Sequence, residues 1–139
     1  MLTTLTSITA HTAMQHILLK TSPKIDANFN ISEVAQTEAD HYRSIASRLG
    51  LGEGQSITEW AATKNLIRGK QSELVEVEMT EEDRNTIIAI LERDKTDKEE
   101  ILMHHRQMNS VSNTVIVFQA LVDVLQSAIQ ELSTKTIQE

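Results

Sequence analysis

The residues that could do chemistry are few: five histidines, scattered carboxylates and no cysteine. The missing thiols exclude disulfides, thiolate metal sites and cysteine nucleophiles. His11 and His16 stand five apart, one more than the spacing that puts two imidazoles on one helical face. Glu38-Ala-Asp-His41 has the Glu-x-x-His spacing of dinuclear carboxylate bundles, but such a site needs a second copy and further inward carboxylates, and no second copy exists. His104 and His105 are adjacent, so on a helix they point about 100° apart and cannot grip one ion together. Gly50-x-Gly-x-Gly54 follows an expected helix and lacks the next glycine of a phosphate-binding fingerprint. No serine sits in a nucleophile elbow. The expectation is a non-enzymatic protein with no catalytic residue, no cofactor and no metal.

One constellation points to nucleic acid. Ile45-Ala-Ser-Arg48-Leu49-Gly50-Leu51, then Ser56-Ile-Thr-Glu59-Trp60, resembles a helix-turn-helix: a helix ending at Leu-Gly-Leu, a short turn, and a second helix opening on serine. Arg43, Arg48, Lys64, Arg68 and Lys70 stand in the same stretch and would meet phosphates. Against this, the turn is long and glycine-rich, and the would-be reading helix starts with an acid and an indole. A net charge of −7 over 139 residues also disfavours nucleic acid as a partner of the whole chain.

Helix caps define the elements that would position these residues. Asn30-Ile-Ser-Glu33, or Ser32 alone, predicts a helix over about 33–49 stopping at Gly50. Ser56-Ile-Thr-Glu59 predicts a second over about 57–68 with Gly69 as its left-handed stop. Thr80 before Glu81, Glu82 and Asp83 predicts a third over about 81–93, because acids in a first turn complement the helix dipole. Thr96-Asp-Lys-Glu99 is a further capping box, opening the last helix. Residues 73–78 alternate with strand period but have no evident partner, and read as extended linker or a short edge strand. With one proline, four glycines and few aromatics, the expectation is a single all-α domain. It should be a bundle of four to five helices divided into an N-terminal segment 1–29, capped short helices 30–95 and a long C-terminal helix 96–139. Charge follows a similar division, with −2 over residues 1–42, +3 over 43–70 and −8 over 71–139.

The last segment carries the strongest pattern. Ile101, Met108, Val115, Val122 and Ile129 recur every seventh residue, and His104, Val111, Phe118, Leu125 and Leu132 follow three behind each. One continuous helix over about 97–136 would be roughly 60 Å long at about 1.5 Å per residue. Glutamine, serine, Leu121 and Ala128 replace the usual charged edges, and Ile116, Val117 and Val124 fall outside the seam. Residues 114–125 should therefore be buried on several sides. A stripe of Leu2, Leu5, Ile8, Thr12 and Leu19 could cover part of the seam. The seam is either internal bundle core or a contact with other subunits, and in the second case its interface residues are Ile101, Met108, Val111, Val115, Phe118, Val122, Leu125, Ile129 and Leu132. His104, the one polar member, would make a buried seam pH-sensitive, because protonation there buries a charge.

Residues 107–121 and 126–137, rich in Ser, Asn, Gln and Thr around an aliphatic seam, resemble the C-terminal assembly helices of type III secretion filament, rod and needle subunits. The uncharged Thr/Ser-rich start looks like the export segment of that family. The resemblance implies terminal segments packed into a helical assembly, with a chaperone masking the C-terminal helix before export. No Sec signal and no membrane span is expected, since the longest early apolar run is Ile17-Leu18-Leu19 and Val115 to Leu125 is interrupted by Gln119 and Asp123. The expected location is the cytoplasm as synthesised, followed by non-Sec export or incorporation into a larger assembly. The expected partners are copies of itself or other protein subunits. The alternatives are a helix-turn-helix regulator and a secretion-type chaperone that holds a client helix.

Overall fold

The computed structural model describes residues 2–23, 25–64, 66–67, 70–71, 73–108 and 113–134. Its elements are β1 (Leu2–Thr6), α1 (Ser7–Leu19), α2 (Glu33–Arg48), α3 (Ile57–Lys64), β2 (Leu66–Ile67), β3 (Lys70–Gln71), β4 (Leu74–Glu78), α4 (Glu81–Gln107) and α5 (Asn113–Thr134). The protein is an all-α bundle of five helices ending in a long C-terminal helix, with two small ribbons among the described residues.

The alternating run at residues 73–78 is an edge strand, and its partner is the start of the chain. β1 and β4 pair antiparallel, with Thr3 opposite Val77 and Leu5 opposite Val75. These four side chains turn inward, while Thr4, Thr6, Glu76 and Leu74 face outward. Two strands alone are marginal in water, so the ribbon depends on the core that takes up Leu5, Val75, Val77 and Met79.

Thr6 ends β1 and caps α1, its hydroxyl accepting from the Thr9 amide. α1 is the hub, packing against α2, α3, α4, α5 and the ribbon. Its buried face is Ala10, Ala13, Met14 and Ile17 with Thr9 and Thr12, small enough for neighbouring helices to come close. The expected stripe is therefore only half right: Leu5 and Thr12 are buried, but Ile8 and Leu19 face solvent.

Ser32 caps α2 as expected. The helix ends in a Schellman motif, where Gly50 at φ 101° donates to the Ser47 carbonyl and Leu51 to that of Ala46. In the box opening α3, the Glu59 amide donates to Ser56 Oγ at 3.1 Å and the Ser56 amide to Glu59 Oε1 at 3.4 Å. α3 stops at Lys64 instead of 68, because the chain turns into the β2–β3 pair. Gly69, its expected stop, lies outside the described residues.

Thr80 caps α4 as expected, with Asp83 completing a capping box, but the helix runs to Gln107 without interruption instead of ending near 93. The box at residues 96–99 starts nothing. Its charged residues lie mid-helix in one-turn pairs instead, Lys98 with Asp94 and Lys95 with Glu99. The expected single helix over 97–136 is divided between two: α4 is capped at Met108 and α5 starts at Asn113. The two pack side by side, Arg106 Nη2 donating to Gln119 Oε1 at 2.7 Å.

Candidate assembly interface

The seam residues separate into core and surface. Val122, Leu125, Ile129 and Leu132 are buried inside the chain, the last three in the same cluster as Met14, Ile17, Ile87 and Leu91. The C-terminal half of the seam is thus internal core. Val115 and Phe118 are half-buried, and Val111 lies outside the described residues. Ile101 on α4 and Met108 at its C-cap face solvent, and Leu102, one position from Ile101, is the residue turned inward. His104 is exposed as well, which removes the expected pH switch in a buried seam.

What remains uncovered has a regular origin. At the base of the α4–α5 pair, α1 and its cap hold both helices. His16 Nε2 lies 2.7 Å from Asp94 Oδ2 on α4, while its Nδ1 lies 2.8 Å from the Thr12 carbonyl. On α5, Glu131 accepts from the Thr6 amide at 2.9 Å and from the Thr6 hydroxyl at 3.1 Å. Stepping by sevens from these anchors towards the free end stays on the same face of each helix. From Asp94 the steps reach Ile101 and Met108; from Glu131 they reach Val124 and Val117; from buried Ala128 they reach Leu121. All five are exposed, Met108 to 66% and Val117 to 53%. The face that α1 covers at the base therefore continues bare as far as Met108 and Val117, on the order of 400 Å² of apolar surface. Residues 114–125, expected to be buried on several sides, are buried on only one within this chain, and Ile116 on another face is also exposed. The signal for Val117 and Val124 was legible as apolar residues outside the seam, but the heptads drew attention to the wrong side.

α5 is also long and apolar enough, by length and composition alone, to cross a membrane, contrary to the expectation that no segment is. Its C-terminal half is core packing of this chain.

Two of the candidate nucleic-acid residues, Arg43 and Arg48, are held in ion pairs while their side chains stay 51% and 43% exposed. Arg48 Nε donates to Asp83 Oδ2 at 2.8 Å and its Nη2 to Oδ1 at 2.7 Å. Arg43 pairs with Asp40, one turn earlier on α2. Trp60 is buried and its indole N–H donates to the Leu49 carbonyl, so the second helix of the motif is anchored inward. The Lys64 side chain lies against Gly50. Lys70 is placed in β3, and Arg68 lies outside the described residues.

Two other features stand apart. A cleft of about 700 Å³ lies between the end of α1, α2 and α4, with Ala35, Ala39, Ala89 and Ile90 among its apolar lining and Glu38, Tyr42, Arg93 and Asp97 at its polar side. A tight loop over 25–31 is tied by Asp26 Oδ1, which accepts from the amides of Asn28 and Asn30. It presents Phe29 at φ 61°, 89% exposed. Among the described residues no three His, Asp or Glu side chains form a metal-binding group. No protein family, curated protein or solved structure matches the chain.

Proposed function

We propose that the protein is a non-enzymatic assembly subunit that docks onto other protein subunits through the bare face of the α4–α5 hairpin. The observation that carries this reading is the continuation of the α1 contact stripe, Ile101 and Met108 on one helix and Val117, Leu121 and Val124 on the other, as uncovered apolar surface. A two-helix layer is sound where α1 seals it and incomplete where nothing does. The resemblance of residues 107–137 to secretion-system assembly helices agrees with such a role. The nucleic-acid alternative has less support, since Arg48 is paired with Asp83 and Trp60 is buried. The test is light scattering of wild type and of a Val117→Asp/Val124→Asp variant over a concentration series. The wild type should associate, and the variant should stay monomeric with an unchanged circular-dichroism melt. Equal size of the two proteins at every concentration counts against the reading.

A further inference from the structure

We infer that the occupant of the bare face is a second copy of this chain, laid antiparallel across it about a two-fold axis; the inference rests on the assembly reading above. The stripe is centred on one level of the hairpin. The midpoint of Ile101 and Met108 falls between His104 and His105 on α4, and that of Val117 and Val124 falls between Ala120 and Leu121 on α5. The Arg106–Gln119 hydrogen bond and the small groove shared by Leu102 and Val122 bring these two midpoints side by side. A two-fold axis across the hairpin at that level sets Ile101 against Met108 of the second copy, Val117 against Val124, and Ala120 against Leu121. An isologous contact requires a patch that complements itself, and at this level each apolar side chain of the stripe would meet another.

The direction follows from α1, which occupies the same face at the base through His16 and Thr6. Parallel pairing would drive the two α1 helices into one volume. Antiparallel pairing sends each free end towards the other copy's α1 and lays four helices together. Ile101, Met108, Val117, Ala120, Leu121 and Val124 carry no charge, while His104 and His105 lie beside the axis on α4. Two such faces with their polar rims come to about 1,000 Å², the lower end of specific interfaces, so the dimer should be concentration-dependent.

The absence of cysteine makes the test direct. Ala120→Cys places a thiol beside the axis, and Met103→Cys places one on an exposed position of α4 outside the stripe. Under mild oxidation at a concentration where light scattering gives a dimer, A120C should cross-link at least tenfold faster than M103C. Equal cross-linking of the two, preference for M103C, or assemblies larger than a dimer would overturn the antiparallel pairing while leaving an assembly role standing. A wild-type chain that is monomeric at every concentration removes the second copy as occupant. That result also counts against the assembly reading, whereas a wild-type assembly that V117D/V124D abolishes but that shows no A120C preference leaves that reading standing.

Discussion

Arg48 at the end of α2 and Asp83 in the first turn of α4 meet through two parallel hydrogen bonds of 2.8 and 2.7 Å. The carboxylate is 1% exposed and also accepts, at 3.4 Å, from the Thr80 amide. One side chain thus completes a helix cap and ties two helices that have few other contacts. Arg48→Ala leaves that buried carboxylate with only its capping contacts and should cost roughly 2–3 kcal/mol in urea unfolding. Arg48→Lys should recover only part of this, since an ammonium cannot make both bonds. A loss below about 0.5 kcal/mol would mean that the pair acts as an ordinary surface bridge.

The same carboxyl sets an acid limit. Burial pushes the Asp83 carboxyl up, but the Arg48 guanidinium and the Thr80 donors outweigh it and hold it below its ordinary value. Asp94 is lowered similarly, burial being outweighed by Lys98 and His16. A carboxyl lowered on folding adds stability that is complete above its unfolded value, about 3.9, and is lost as pH falls through the folded value. Stability should therefore drop below about pH 4. Asp83→Asn should be less stable than wild type at pH 6 and show a flatter acid limb; parallel pH profiles would refute the assignment.

Leu5 anchors the β1–β4 ribbon opposite Val75 and is fully buried. Leu5→Ala should cost about 2–4 kcal/mol, the range for a buried leucine. Ile8, three residues on and exposed, should tolerate alanine within about 0.5 kcal/mol. Trp60 reports both, since the single indole is buried and its emission should shift to the red on unfolding.

Phe29 holds a left-handed backbone conformation with its ring in solvent. Asparagine adopts that conformation more readily than a bulky side chain. Phe29→Asn should raise stability by about 1 kcal/mol. A lower melting temperature would show that the ring makes a stabilising contact.

Leu125 and Val124 are neighbours with opposite fates. Leu125→Asp places a carboxylate in the core and should unfold the chain, whereas Val124→Asp lies on the bare face and should leave the far-UV spectrum intact. Expression and circular dichroism of the pair separate core from surface on α5.

What could be read ahead of the structure was local. Ser32, Ser56 and Thr80 each cap the helix that follows, because a cap needs only its next three residues. The same logic failed at Thr96, where Asp97, Lys98 and Glu99 make as good a helix surface as a helix start. The hairpin break was hidden because residues 108–112 hold no glycine or proline and the apolar heptads run through them. Counting from Ile101 placed Ile101 inside, where Leu102 is. The β1–β4 pairing was invisible for another reason: its partners are some seventy residues apart, and no short-range pattern encodes that distance.

That separation also orders events in time. The Ser7 amide donates to the Glu73 carbonyl at 2.7 Å, so the ribbon closes only when the chain from α1 to β4 has been made. At about 5–20 residues per second on a ribosome, the first strand waits roughly 4–15 s for its partner. During that interval Leu5 has no strand to pair with, and α1 lacks α4 and α5, the helices that seal it last. Until they are made, the apolar faces of β1 and α1 stay open to wrong partners, although in the folded chain they belong to the core.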